Sequence, residues 1–114
     1  MNERKRGYRM NYRQAKSRAE VLKALANPVR VLIVHHLQKG EQCVSDLNKL
    51  ARINQSNMTR HLQVLKKAGI ILDRRDGTHV YYRLQAPTLL KACDLAAETA
   101  QQESRRRVEL TSPD

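Results

Sequence analysis

The chain has 114 residues, with 22 Lys and Arg against 11 Asp and Glu, a formal charge of +11 at pH 7. That length fits one domain with one modest core. The charge surplus asks for an anionic partner, nucleic acid foremost, because neutralising phosphates releases counterions. No run of 18 apolar residues exists, so nothing is expected to span a bilayer. The basic N-terminus lacks a signal-type apolar stretch, so the protein is expected to stay in the cytoplasm, with an acidic membrane surface the less favoured partner. Cys43 and Cys93 alone make neither a disulfide framework nor a complete zinc site. With no Phe and no Trp, the core must be built from Leu, Ile, Val and Ala.

Residues 1–12 are basic and aperiodic, and are expected to form a flexible arm. Residues 1–20 carry seven Lys and Arg against two Glu, so the arm can track phosphates or simply stay solvated. Residues 13–26 read as a helix with Ala15, Ala19, Leu22 and Leu25–Ala26 on one side. Asn27-Pro28 breaks and restarts the chain, with Asn27 as cap and Pro28 as first helical residue. The next helix runs to about Lys39, with Val29, Leu32, Ile33 and Leu37 inward, and Gly40 ends it. A short helix follows on Val44, Leu47 and Leu50, and Ala51-Arg52-Ile53 makes a tight turn.

Asn54 then caps a helix whose Met58, Leu62 and Leu65 face the core at i, i+4 and i+7, and Gly69 stops it. Ile70–Arg74 and His79–Arg83 read as two strands, with Asp76-Gly77 as the hairpin turn. Tyr81 and Tyr82 alternate, so one packs inside and the other covers an edge. Pro87 opens a last helix of between about 15 and about 20 residues. Its apolar face is Leu89, Cys93, Ala96, Ala97 and Ala100. Small residues there let two helices approach closely. Arg105 onward reads as a solvated tail. The expected architecture is mainly α with a β-hairpin wing: a winged helix-turn-helix of order α-α-α-α-β-β-α. Its arm is residues 1–12, its DNA-binding and dimerisation domain 13–104, and its tail 105–114.

The helix after Asn54 exposes hydrogen-bonding side chains all along its outer face. Gln and Asn can pair with adenine at two points, and Arg with guanine or phosphate. The first turn of such a helix usually reaches the base edges. Gln55, Ser56 and Thr59 are therefore the candidates for base contact. Arg60 and His61 stand nearer the backbone, and Asn57 and Gln63 complete the face. On the hairpin, Arg74, Arg75, Thr78 and His79 are the candidates for phosphate contact, with one Arg able to enter the minor groove. A solvated helix face and an ordinary hairpin tip are the plain alternatives. Helix, turn, hairpin and charge together favour DNA.

In this setting the sequence resembles the ArsR/SmtB family of winged-helix repressors across roughly residues 18–95. Leu25-Ala-Asn-Pro-Val-Arg-Val-Leu-Ile33 resembles the opening of the family's second helix, and Glu41-Gln-Cys-Val-Ser-Asp-Leu47 its ELCVCDL box. Gln55–Leu62 is similar to its recognition helix and Arg75–Leu84 to its wing. The resemblance implies a homodimer joined by the first and last helices, with Leu22, Leu89, Cys93, Ala96, Ala97 and Ala100 at the seam. It also implies repression of a nearby operon, through operator DNA, until an inducer weakens binding.

Cys43 stands at the box's first cysteine, but Ser45 replaces the second, and capture of arsenite, antimonite or cadmium needs two or three sulfurs together. The last helix has no His, so no zinc, nickel or cobalt site of the family's other type is expected there. His35-His36 read as surface and boundary residues rather than ligands. Three readings stay open for Cys43 and Cys93: plain packing with no sensing, thiol redox or persulfide chemistry, and metalloid binding. No cofactor is expected. Two other function classes compete with the specific repressor: a non-specific architectural DNA-binding protein and a winged helix that binds protein. An enzyme is the weakest class, since no Ser/His/Asp order, carboxylate pair or Gly-rich phosphate loop is present.

Overall fold

The structure is a computed structural model that describes residues 9–52 and 54–111, without the side chains of Ala51 and Gln55. Most of the expected N-terminal arm, Ile53 of the expected turn and the last three residues lie outside the described part. The elements are α1 (Tyr12–Leu25), α2 (Pro28–Leu37), β1 (Gln42–Cys43), α3 (Val44–Ala51), α4 (Gln55–Lys67), β2 (Ile71–Asp76), β3 (His79–Leu84) and α5 (Leu89–Thr111).

Three helices start where the sequence supplies an Asn cap. Asn11 closes α1 with a capping box: its side chain accepts from Gln14 N at 2.8 Å, and Gln14 Oε1 accepts from Asn11 N at 2.9 Å. Asn27 accepts from Val29 N at 2.9 Å, with Pro28 in the first turn of α2. Asn54 accepts from Asn57 N at 2.9 Å at the head of α4. Between α3 and α4, Arg52 takes a left-handed conformation (φ 53°), and this sets the sharp turn between the two helices.

The sheet has three strands in the order β1-β3-β2, all antiparallel. Strands β2 and β3 form the wing. Asp76 pairs with His79, which leaves Gly77-Thr78 as the loop, and Gly77 adopts φ 64° where glycine is favoured. Nothing in the local pattern signals β1. Gln42 opposite Tyr82 and Cys43 opposite Tyr81 form only a two-residue strand. Such a strand is too short to show alternation, and only its partner reveals it.

One core joins α1 through α4 to the base of the wing. Ile33, Val34, Leu37, Leu47, Met58, Leu62, Leu65 and Ile71 are all buried there. Three expectations need correction. Leu32 is half-exposed, and Val34 takes its place inward because α2 packs on both α1 and α4 through Ile33, Val34 and Leu37. Leu50 is also half-exposed, one turn beyond the last contact of α3 with the core. The expected tail from Arg105 is helical as far as Thr111. Glu103 bonds Arg106 at 2.8 Å and Arg107 at 3.1 Å. These pairs, at i+3 and i+4, carry the helix onward.

Helices α1 and α5 keep much of their apolar surface outside this core. In α1 only Ala24 and Leu25 are buried, while Ala15 and Ala19 are exposed and Leu22 is 61% exposed. In α5 only Leu90 is buried. Leu89 and Cys93 are half-buried against the chain's own core, whereas Leu95, Ala96, Ala97 and Ala100 are exposed. Among the described residues no helix is long and apolar enough to cross a membrane.

Candidate nucleic-acid interface

Helix α4 presents its two sides differently. Met58, Leu62 and Leu65 are buried, and Ser56, Asn57, Thr59, Arg60 and Gln63 are exposed on the opposite side. The Gln55 side chain lies outside the described residues, though its backbone opens the helix beside the Asn54 cap. In the first turn of α4, Ser56 and Asn57 are exposed short polar side chains while Met58 is buried in the core, the two-sided arrangement a groove-reading helix requires.

His61 departs from this face. It is half-buried, and its Nδ1 accepts a hydrogen bond from Arg30 Nε at 3.3 Å. Arg30 also donates from Nη1 to the Ala24 carbonyl at 3.0 Å, so this one side chain ties α1, α2 and α4 together. Burial, then the positive charges of Arg30 and Arg60, hold the His61 imidazole below its usual pKa. A neutral His61 suits its role as an acceptor.

The wing separates its two arginines by the strand pleat. Arg75 shares a face with Ile71 and Leu84, the buried side of the hairpin, and beyond the core it projects into solvent. Arg74 lies on the opposite face. There it makes a bidentate pair with Glu41, Nη2 to Oε1 at 2.6 Å and Nε to Oε2 at 3.2 Å. It also stacks 4.7 Å from the centre of the Tyr81 ring. The Arg74 guanidinium beside Glu41 holds that carboxyl below the usual range. Tyr82 packs on the core, where burial pushes its phenol up, while Tyr81 lies on the opposite face of β3, which is the central strand, so it covers no edge as expected but carries Arg74. Thr78 and His79 are exposed at the hairpin tip. Lys66 at the end of α4 bonds Asp73 of β2 at 2.9 Å, fixing the wing against that helix.

Two of these partners have no signal in the local sequence. Glu41 belongs to a recognisable box, but only the sheet register brings it to Arg74. Arg30 lies 31 residues from His61 in sequence, and no local pattern pairs them.

Cys43 and Cys93 are free thiols on different elements. Cys43 caps α3 without a side-chain cap bond, and its Sγ lies 3.3 Å from Ser45 Oγ. That contact comes first among the causes that lower its pKa. Ser45 therefore stands as a hydrogen-bond partner where a second sulfur would make a chelate. A pocket of about 390 Å³ opens beside it, lined by Cys43, Asn48, Thr59, Thr78 and His79. Among the described residues, Asn48 Oδ1 is buried without a hydrogen-bond partner. No three His, Cys, Asp or Glu side chains among the described residues stand together as metal ligands.

A capped helix delivered by a tight helix–helix turn, with an antiparallel hairpin fixed beside it, defines a winged helix-turn-helix. Known proteins agree. The family model described as "Bacterial regulatory protein, arsR family" matches residues 27–72. The repressor SmtB of Mycobacterium tuberculosis is 42% identical over 65 residues, covering 57% of this chain and 48% of that protein. The crystal structure of Rv0081 from M. tuberculosis superposes with a TM-score of 0.72 at 29% identity, covering 86% of this chain and 99% of that one. The solution structure of the homodimeric winged helix-turn-helix DNA-binding domain of Mb0332 from Mycobacterium bovis gives a TM-score of 0.69 at 30% identity, covering 85% and 93%. The chain belongs to the ArsR/SmtB family of winged helix-turn-helix regulators. It spans about half the length of SmtB and of the arsenic resistance regulator ArsR1 of Pseudomonas putida.

Proposed function

We propose that this protein is a sequence-specific DNA-binding transcriptional repressor that works as a homodimer. The observation that carries the reading is the exposed polar face of α4, with Ser56, Asn57, Arg60 and Gln63 opposite the buried Met58 and Leu62, set beside a wing whose Arg75 is solvent-facing and unpaired among the described residues. Gln55, Ser56 and Thr59 contact base edges, and Asn57, Arg60 and Gln63 extend the same face. Arg75, Thr78 and His79 contact phosphate. His61 orients α4 through Arg30 rather than touching DNA, and Arg74 stiffens the wing through Glu41. The repressor names of SmtB and of the biofilm growth-associated repressor of Xylella fastidiosa favour selective binding over an architectural role.

Residues Tyr12 to Thr111 act as one DNA-binding and dimerisation unit in the cytoplasm. The exposed stripes of α1 (Ala15, Ala19, Leu22) and α5 (Ala96, Ala97, Ala100) meet their counterparts in a second copy, and Leu89 and Cys93 border that seam from the core. Two half-sites are then read about one helical turn of DNA apart. Of the two thiols, Cys43 is the better placed to respond to an inducer, since it lines an open pocket shared with Thr59 and the wing tip.

Fluorescence anisotropy on the protein's own upstream DNA and on a scrambled duplex tests this reading. Selective binding is expected, and Gln55→Ala should cost roughly 1–3 kcal/mol on the upstream site and little on scrambled DNA. Equal affinity for both duplexes would overturn the specific reading in favour of an architectural one.

A further inference from the structure

A second basic feature lies away from the base-facing turn. Helices α1, α2 and α4 enclose a groove of about 520 Å³ whose charged lining is Lys23, Arg30, Lys67 and Glu20, over a floor that includes Ala24 and Val64. Arg74, Arg106, Arg107 and Lys66 all have carboxylate partners. Lys23, Arg30 and Lys67 form no ion pair among the described residues. Arg30 spends Nη1 and Nε on Ala24 and His61, which leaves Nη2 without an acceptor there. It also sits in the first turn of α2, at the positive end of that helix.

The groove is separate from the surfaces already assigned. Lys67 lies about 15 Å along α4 from Asn57 at the base-facing end, taking roughly 1.5 Å per residue. On α1, Glu20 and Ala24 are turned roughly 100–180° from the Ala15/Ala19/Leu22 stripe at about 100° per residue, while Lys23, about 40° from Ala19, borders it. A duplex on the first turn of α4 and a second copy on that stripe both leave Arg30 and Lys67 open, with Lys23 at the border of the stripe.

We propose that this groove binds a small multivalent oxyanion, a phosphate ester or polycarboxylate, and that Arg30 passes its occupancy to α4 through His61. Three cations facing one carboxylate favour a ligand with more than one negative charge. The free edge of the Arg30 guanidinium takes a planar or tetrahedral oxyanion in fork geometry. Drawing Arg30 toward the ligand strains its bond to His61, which adjoins Arg60 on the DNA-facing helix. The binding half stands on the groove alone, and the coupling half rests on the DNA-reading role proposed for α4.

The test is NMR of the full ¹⁵N-labelled chain titrated with inorganic pyrophosphate, with ionic strength held constant by KCl. Saturable shifts are expected at Arg30, Lys67 and the His61 side chain. The Lys23→Gln/Lys67→Gln variant, which changes only exposed side chains, should weaken binding about tenfold or more. The charge-matched Lys39→Gln/Lys49→Gln variant should not. Shifts that fail to saturate and spread over the wing and α5, or equal affinity in both variants, overturn the site. Anisotropy on upstream DNA completes the test. If Lys23→Gln/Lys67→Gln loses DNA affinity and flattens the salt slope without pyrophosphate, the groove is a phosphate contact for DNA and the soluble ligand is overturned. If pyrophosphate saturates the groove but leaves His61 and DNA affinity unmoved, the coupling is overturned. If the unaltered protein binds no DNA selectively, the repressor reading fails while the NMR arm still decides the groove.

Discussion

Helix α4 buries Met58, Leu62 and Leu65 inside its own chain, whereas α5 buries only Leu90 in 23 residues and holds a row of small side chains in solvent. Both helices carry an apolar stripe at helical spacing. Helix α4 is 13 residues long, crossed by α2 and α3 and tied to the wing, so its stripe has neighbours on every side. Helix α5 leaves the body after its first turns and extends about 34 Å, at roughly 1.5 Å per residue. That reach helps to explain the 60 × 49 × 22 Å dimensions of the chain. Periodicity therefore reports which face of a helix is apolar. Whether that face is covered by the same chain depends on what the topology places against it.

The comparison is broken most severely in α4. Leu62→Ala removes a fully enclosed side chain and should cost about 2–5 kcal/mol in urea unfolding, because the rigid surroundings leave a cavity. A loss below about 1 kcal/mol would mean that α4 is not the centre of the core. On α5 the opposite outcome is expected. Ala97→Arg should leave helical content and the unfolding of the single chain almost unchanged, since Ala97 is exposed and outside the core. It should nevertheless turn a sedimenting dimer into a monomer. An intact Ala97→Arg dimer would remove this stripe from the seam.

A finer comparison lies within the wing. Arg75→Ala should weaken upstream and scrambled DNA alike and reduce the salt slope by about one unit, as loss of one phosphate contact requires. Arg74→Ala should leave the slope nearly intact, because Glu41 already neutralises that guanidinium. Equal slopes for the two variants would show that Arg74 releases Glu41 to meet DNA.

These contrasts show what is legible in the sequence. The caps at Asn27 and Asn54, the Met58/Leu62/Leu65 stripe and the Asp76-Gly77 turn are local signals, and each is readable because its cause lies within a few residues. Strand β1, the Glu41–Arg74 pair and the Arg30–His61 bond join residues far apart in sequence, so only the folded register creates them. The C-terminal end defeats local reading for a different reason. Arg105-Arg106-Arg107 alone resembles a solvated charge run, but Glu103, at i−3 and i−4 from Arg106 and Arg107, makes it helix. Ser45 is legible by position, since it removes a sulfur from the box, but its 3.3 Å contact with Cys43 Sγ is a product of the fold.

The smallest expected effect is a pH dependence that ties α4 to α2. The folded imidazole of His61 has its pKa lowered from 6.5, so the unfolded chain binds a proton at a pH where the folded chain still resists it. Stability then rises with pH across that interval. The contribution is fully present above about 6.5 and declines as pH falls toward the lower folded value, where protonation of Nδ1 breaks the bond from Arg30. The lowered carboxyls of Glu41, Asp73 and Glu103 act in the same direction but start from 4.5, 3.8 and 4.5, so their losses appear at more acid pH. Thermal melting between pH 7.5 and 5 should therefore show a modest fall in Tm, and His61→Gln should flatten it because Gln accepts from Arg30 without titrating. A slope that survives in His61→Gln would place the titrating group elsewhere and leave Arg30 holding α4 by packing alone.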